Sequence, residues 1–330
     1  MDGSEPHEPQ REIFEVLARH SAEGRTVTPA EIESRGGFPV AQLGALMHGF
    51  GLSAPAADER AFTPAEAEAL IELWQRREIW PPELAIQVSR IYGRLLARIA
   101  QASVQLWASI VEPGLREHTD PRAQAADAES LSRLLPVSDA LLAAVHRRWL
   151  EHEASKMAGH EPPQPHEPGG PPAAVEVSLL ICDLKDFTAY ADRHGDAASV
   201  HVIDRFAEVV TEERGPEAGL TKLLGDGFMC SYPNPQLAVE AGARIIDAMR
   251  STEQIGVHAS VHHGLAIPRE GDYFGAAVNL TARLLSQADR DELVATREVV
   301  ERCSEHSWER ATTLQIRGIS EDVEVFRLRR

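Results

Sequence analysis

A charged residue in a glycine-rich turn is a candidate for binding or catalysis. Asp226 stands in Gly225-Asp226-Gly227, and β-prone apolar residues flank this turn on both sides. The pattern predicts a tight β-hairpin over 218–232 that holds the Asp226 carboxylate exposed. Lys222 precedes Asp226 by four residues, too far along the strand to be its obligatory ion-pair partner. Alone, a Gly-Asp-Gly sequence is equally typical of an ordinary turn, so the partners of Asp226 decide the interpretation.

A second carboxylate, Asp183, ends the apolar run 175–183 and precedes a predicted helix start. A buried strand that ends beside the Gly225-Asp226 turn would bring two carboxylates together. Hard oxygen ligands of this kind suit magnesium or manganese held between a protein and phosphates.

A third stretch, 271–284, contains Asp272 near two glycines and then a predicted helix. Asn279 and Arg283 are four residues apart, so they share one face of that helix. Taken singly, Asp272 is also typical of a turn aspartate and Lys222 of a solvated strand lysine.

In this order, the stretches resemble the catalytic domain of class III nucleotidyl cyclases over residues 175 to about 328. The segment 317–326 is similar to the last strand of that family. The resemblance implies two divalent cations, Mg²⁺ or Mn²⁺, and a homodimer in which the two chains share each site. The residues it assigns are Asp183 and Asp226 for metal, Lys222 and Asp272 for the purine, and Asn279 and Arg283 for the ribose and transition state.

The resemblance also implies a phosphate-binding segment at Phe187 and Thr188. The family usually has glycine where this chain has Asp186. An acidic side chain there could repel the phosphates, crowd the loop or join the metal shell. Asp186 therefore motivates a competing hypothesis, a catalytically silent cyclase-like module that binds nucleotide and signals.

The base preference follows from hydrogen-bond chemistry. Adenine presents an amino donor beside a ring-nitrogen acceptor, whereas guanine presents a carbonyl acceptor beside an N–H donor. An acceptor, Asp272, together with a donor, Lys222, matches adenine. The implied substrate is ATP, converted to cyclic AMP and pyrophosphate, and guanylyl cyclase activity is disfavoured.

The composition is that of a globular protein, with 43% hydrophobic and 25% charged residues. The net charge of −18 argues against a protein that follows a nucleic-acid backbone, for which a basic surface is expected. No apolar run approaches the ~20 residues that span a bilayer, and the first residues lack a signal-peptide pattern. We therefore expect a cytoplasmic protein without a membrane span.

The domain prediction is a helical regulatory or dimerisation domain over 1–155, a Pro/Gly-rich linker over 156–173 and a catalytic domain over 174–330. The helical half loosely resembles the regulatory domain of some actinobacterial adenylyl cyclases. Thr28-Pro29-Ala30-Glu31 predicts a capped helix start, and the apolar stripe from Leu84 to Leu106 predicts a core or helix-pairing face. Segment 26–52 could also be a helix-turn-helix, but its acidic character disfavours DNA binding.

The second half is predicted as an α+β, ferredoxin-like domain of order βαββαβ. The predicted strands are 175–183, 255–267 and 292–296, besides the hairpin 218–232 and a final pairing at 311–328. The predicted helices are 187–213, 235–251 and 276–287.

Overall fold

The computed structural model describes residues 15, 18–19, 21–117, 133–158, 173–219, 221–252, 255–315 and 322–329. The chain divides into two compact units, Met1–Lys156 and Met157–Arg330. The predicted linker 156–173 falls at this division, and its residues 159–172 lie outside the described part of the chain.

The first unit is helical, and the sequence Thr-Pro-Ala-Glu begins two of its helices, at the predicted cap Thr28 and again at Thr63. The Thr28 and Thr63 hydroxyls each accept a hydrogen bond from the backbone of a glutamate three residues later, Glu31 and Glu66, at 3.2 Å. Each glutamate accepts in return from the threonine backbone, which completes a capping box. The helices are α1 (Pro29–Gly36), α2 (Val40–Gly49), α3 (Pro64–Gln75), α4 (Pro82–Glu117) and α5 (Leu135–Ala158).

The apolar stripe of α4 is exposed within the single chain. Leu95, Ile99 and Leu106 are 52%, 45% and 57% exposed, although their spacing predicts a packed face. Helix α5 has similarly exposed apolar side chains, such as Leu141 and Trp149. The buried core of this unit is instead a small cluster around α1 to α3.

The second unit combines one mixed sheet with helices on both of its faces. Its strands are β1 (Val175–Leu184), β2 (Thr221–Leu224), β3 (Gly227–Tyr232), β4 (Val257–Arg269), β5 (Asp272–Phe274), β6 (Leu293–Thr296), β7 (Trp308–Leu314) and β8 (Val323–Leu328). Its helices are α6 (Phe187–His194), α7 (Asp196–Glu213), α8 (Pro235–Thr252), α9 (Ala276–Leu285) and α10 (Arg297–Arg302).

The strand order confirms the ferredoxin-like prediction. The sheet runs β2-β3-β1-β4-β6-β8-β7, and β5 pairs with β4. Within it, β3 and β4 flank β1, and the β2–β3, β1–β3 and β1–β4 pairs are all antiparallel. Connected through α6 to α8, these four strands form the βαββαβ core.

The alternation of β1 side chains separates a core face from a site face. Leu180 and Cys182 point to the side where α7 and α8 pack, together with Phe206 and Ile245. Val177, Leu179 and Ile181 point to the other side, where they contact Ala277 of α9. Since Asp183 continues the odd-numbered series, its carboxylate belongs to the α9 face.

Two details differ from the sequence-based expectation. The predicted helix 187–213 is two helices, because Gly195 adopts φ 82° and ψ 172°, which a helix cannot accommodate. The apolar residues of 199–213 also predict that Val200 packs against the sheet together with Phe206, but Val200 is 57% exposed and Val202 is buried in its place. Val200 lies six residues before Phe206 and so about 120° away from it around α7, whereas Val202 lies within about 40° of Phe206.

Candidate active site

The site begins with two carboxylates brought together by strand register. Asp183 lies near the end of β1, opposite Gly227 of β3, and Asp226 precedes Gly227 in the turn that joins β2 to β3. Gly225 supplies the left-handed conformation of this turn, with φ 73°. A Cβ atom at Gly227 would lie 2.6 Å from Asp183 Oδ1, so only glycine leaves room for the carboxylate here.

The electrostatics of the carboxylate pair favour a cation. Burial raises the pKa of Asp226, and the negative charge of Asp183 raises it further. A carboxylate whose neighbour has the same charge gains from a bound cation, which stabilises both ionised forms.

His258 is the neighbour of Asp183 on the other side. It faces Asp183 across the β1–β4 pair, and its Nε2 lies 3.6 Å from Asp183 Oδ2. Its Nδ1 donates to the Ala288 carbonyl oxygen at 3.1 Å, because a carbonyl can only accept. The Lys185 ammonium donates to the same carbonyl at 3.1 Å, which ties the end of β1 to the segment after α9.

The residues present fit a divalent cation of the magnesium type. Among the described residues, no three His, Cys, Asp or Glu side chains group as a metal site. Magnesium is commonly held by one or two carboxylates while substrate phosphates and water complete its octahedron. Asp183 and Asp226, with the space that Gly227 leaves, provide such a partial set of ligands.

Lys222 and Asp272 form a second pair on the same face of the sheet. Lys222 is paired in register with Met229, whose side chain packs on the α9 face. The Lys222 ammonium donates to Asp272 Oδ2 in a partly exposed ion pair. The other oxygen, Asp272 Oδ1, accepts from the Tyr273 backbone N–H at 2.8 Å. A donor and an acceptor therefore stand side by side.

Asn279 and Arg283 lie on the exposed side of α9. The opposite side of this helix is buried through Ala277, Leu280 and Leu284. The spacing of four residues thus places Asn279 and Arg283 together, as the sequence predicts, and directs them away from the sheet below.

The predicted phosphate segment is the start of α6. Asp186 precedes the helix in a left-handed conformation, with φ 61° and ψ 30°, and its side chain does not cap the helix. Phe187 packs partly against the core, whereas Thr188 is exposed. Uncapped N–H groups at a helix start attract anions, so this end of α6 suits a phosphate.

Comparisons with known proteins identify relatives of this chain. No protein-family model matches the chain. An uncharacterized protein from Mycobacterium tuberculosis is 26% identical over 253 residues, which cover 76% of this chain and 65% of the relative. A pH-sensitive adenylate cyclase from the same species is 24% identical over 275 residues, covering 81% of this chain and 67% of the relative. An adenylate cyclase from Streptomyces griseus is 27% identical over 241 residues, or 71% of this chain and 58% of that protein.

These alignments are longer than the second unit, so they extend into the helical unit as well. The chain is a homologue of actinobacterial adenylate cyclases over about three quarters of its length, in agreement with its class III nucleotidyl cyclase motifs. Among solved structures, the adenylyl cyclase CyaB from P. aeruginosa matches with a TM-score of 0.44 and 15% identity, covering 48% of this chain and 95% of that chain. The chain spans about 65% of the length of the first relatives it matches.

In this cyclase homologue, the structure assembles two of the predicted pairs and exposes the third. Asp183 stands next to Asp226, and Lys222 contacts Asp272, whereas Asn279 and Arg283 lie together on the exposed side of α9. Sequence reasoning missed His258, which it treated only as an alternating strand residue. The signal that could have found it is register, because His258 pairs directly with Asp183.

The family uses divalent metals and binds nucleotide. Among the residues the structure describes, no helix is long and apolar enough to cross a membrane.

Proposed function

We propose that this chain is an adenylyl cyclase that converts ATP to 3′,5′-cyclic AMP and pyrophosphate. The observation that carries the proposal is the Lys222–Asp272 pair, which presents one donor and one acceptor at adjacent positions. Adenine offers the complementary acceptor and donor on one edge. Guanine would face its carbonyl toward Asp272 and its N–H toward Lys222, and each mismatched buried group costs about 1–3 kcal/mol.

The remaining candidate residues have separate roles in the reaction. The ribose 3′-hydroxyl attacks the α-phosphorus, and pyrophosphate leaves. Asn279 orients the ribose, and the permanently charged guanidinium of Arg283 neutralises negative charge that develops at the phosphorus. The N–H groups at the start of α6, at Phe187 and Thr188, hold phosphate oxygens.

Asp183 and Asp226 would hold the divalent cations, Mg²⁺ or Mn²⁺. Such ions, when bound, lower the pKa of the attacking hydroxyl and neutralise charge on the leaving pyrophosphate. His258 keeps the Asp183 carboxylate in place from the opposite strand, and Gly227 leaves the space that this carboxylate occupies.

A homodimer is part of the proposal, because the class III resemblance implies that two chains share each site, and the α9 pair is exposed. In a two-fold dimer, the Asn279 and Arg283 side chains of each chain can complete the carboxylate site of the other. The exposed apolar stripe of α4 supports association of the helical units. Apolar area of this extent on a long helix is typical of an interface. An Ile99→Glu variant should therefore weaken the dimer in sedimentation measurements, whereas Glu83→Gln, a change of a charged residue at the start of α4, should not.

We also propose that the helical unit regulates the catalytic unit. The pH-sensitive adenylate cyclase from M. tuberculosis aligns across both units, which supports a shared two-part design. Comparing the pH dependence of activity in the full chain and in the Ile99→Glu variant tests whether the helical unit transmits a signal.

The deciding experiment measures cyclic AMP from ATP and manganese with the purified full-length chain. Wild type should form product, and Asp183→Ala should form none although it still folds. GTP supplied at the same concentration should give far less cyclic product. Comparable turnover of GTP and ATP would contradict the assignment of the Lys222–Asp272 pair.

A catalytically silent nucleotide-binding module is the second candidate, and Asp186 favours it. Its carboxylate stands at the helix start that would receive the phosphates. Such a module would bind ATP in a manganese titration and yet form no product.

A further inference from the structure

A cavity at the far end of β1 has no role in the proposed reaction. It has a volume of about 490 Å³ and is lined by residues of β1, β4, α8 and α10, among them Glu176, Gln236, His263 and Arg302. This volume lies within the roughly 300–1,000 Å³ range of small-molecule sites. Glu176 precedes Asp183 by seven residues of strand, about 23 Å, and the side chains of the two point to opposite faces.

Two buried polar atoms in this cavity make no hydrogen bond with the residues the structure describes. His263 is only 7% exposed, and its Nε2 makes no hydrogen bond. Its other nitrogen, Nδ1, lies 2.8 Å from the Ser178 hydroxyl. Nε2 makes one long contact, 3.6 Å, with Oε2 of the exposed Glu176 side chain. The second atom is Gln236 Oε1, whose amide nitrogen already donates to Glu240. Buried polar groups are normally satisfied, so these two atoms point to a missing occupant.

The hydrogen-bonding roles of these atoms are opposite. Burial and the charge of Arg302 lower the pKa of His263, so the ring is neutral at pH 7. When Ser178 donates to Nδ1, Nε2 carries the hydrogen and donates toward Glu176 and the cavity. Gln236 Oε1 can only accept. A ligand that fills the cavity must therefore place an acceptor near His263 and a donor near Gln236.

The charges that line the cavity are opposite as well. Arg302 is exposed and has no ion-pair partner among the described residues, and Glu176 lies across the cavity. A bare anion would satisfy Arg302 but face Glu176 and the Gln236 oxygen. A bare cation would satisfy those two but face Arg302. A ligand with both signs of charge complements all four of these groups.

We infer that this cavity binds a small amino-carboxylate, a molecule with one carboxylate and one ammonium group. The carboxylate would accept from Arg302 and His263 Nε2, and the ammonium would donate to Gln236 Oε1 and Glu176. Pro233, Pro235 and Leu237 provide an apolar wall for the carbon skeleton. The site is separate from the active site and does not depend on the proposed activity.

The test is thermal unfolding of the full-length protein with each of the common amino acids singly. At about 10 mM, a matching amino acid should raise the Tm by about 2–4 °C. It should also move the Nε2 resonance of His263 in histidine-labelled protein, assigned by its loss in His263→Gln. Acetate alone and methylammonium alone should produce neither change.

Variants inside and outside the cavity show where the amino acid binds. Arg302→Gln and Glu176→Gln should each abolish the stabilisation, whereas Arg193→Gln, which alters an arginine in the last turn of α6, should retain it. The inference is overturned if no amino acid shifts the Tm or the resonance, or if acetate or methylammonium does so equally well. It is also overturned if the shift persists in Arg302→Gln, since binding would then lie elsewhere.

Discussion

Removing the charge of Asp186 should tighten binding of ATP. This residue stands at the start of α6 with φ 61°, a conformation that costs most side chains about 1–2 kcal/mol, aspartate and asparagine less, and glycine almost nothing. Asp186→Gly relieves this strain but gives the unfolded chain more freedom, which costs about 0.4–1 kcal/mol. The two effects nearly cancel. We therefore expect the stability of the variant to stay within about 1 kcal/mol of wild type.

The effect on binding is electrostatic. For a carboxylate about 6 Å from a phosphate charge, the repulsion is about 0.7 kcal/mol at the dielectric constant of water and about 3 kcal/mol at an effective value of 20. Asp186 is exposed and salt screens it, so the lower end applies. We expect Asp186→Gly and Asp186→Asn to lower the Kd for the ATP–manganese complex about 3- to 10-fold.

Comparing the two variants distinguishes an effect of the side-chain charge from an effect of the side-chain size. Asparagine tolerates the left-handed conformation and has the size of aspartate without its charge. Titration with α,β-methylene-ATP, which cannot be cyclised, measures Kd whether or not the chain is active. If only glycine tightens binding, crowding is the cause and the electrostatic argument is wrong. If both variants weaken manganese-dependent binding, Asp186 is a metal ligand. Unchanged Kd values would refute any role for this residue in binding.

Three further changes test other parts of the site and core. Gly227→Ala places a methyl group 2.6 Å from Asp183 Oδ1, so it should abolish cyclase activity and cost about 1–3 kcal/mol in urea unfolding. Equal amounts of inactive Asp226→Ala and Arg283→Ala chains should recover about a quarter of wild-type activity, since half of the dimers are mixed and each has one intact site. Burial lowers the pKa of His262 to about 4. Its unfolded form takes up a proton near 6.5, so stability is lost as pH falls below that value, about 2 kcal/mol between pH 7 and 5. His262→Gln should remove this loss.

Each of these predictions has a matched comparison. Gly225→Ala adds a methyl group that would meet nothing within 4 Å, so it should cost only the strain of its left-handed backbone and leave the Asp183 carboxylate in place. For the mixed chains, subunit exchange is verified with differently tagged proteins, and no recovery despite exchange would contradict a shared site. For His262, an equal loss of stability in wild type and variant between pH 7 and 5 would show that other groups cause it.

Local sequence determined the elements that hold the candidate site. The glycines around Asp226 require a turn whatever the rest of the chain does, because few other residues adopt such backbone angles. The apolar run before Asp183 requires a buried strand. The spacing of Asn279 and Arg283 puts them on one face of any helix. These properties depend on residues within a few positions of each other, so they can be predicted without knowing the fold.

Register and packing decided the rest, because they join residues far apart in the chain. Asp183 meets Gly227 and His258 only through the alignment of β1 with β3 and β4. Lys222 contacts Asp272, fifty residues later, only after β5 folds back on β4. The Nε2 atom of His263 makes no hydrogen bond only because several elements bury it, and local sequence contains no information about that burial. Local patterns therefore specified which groups are present, and the tertiary structure decided which of them act together.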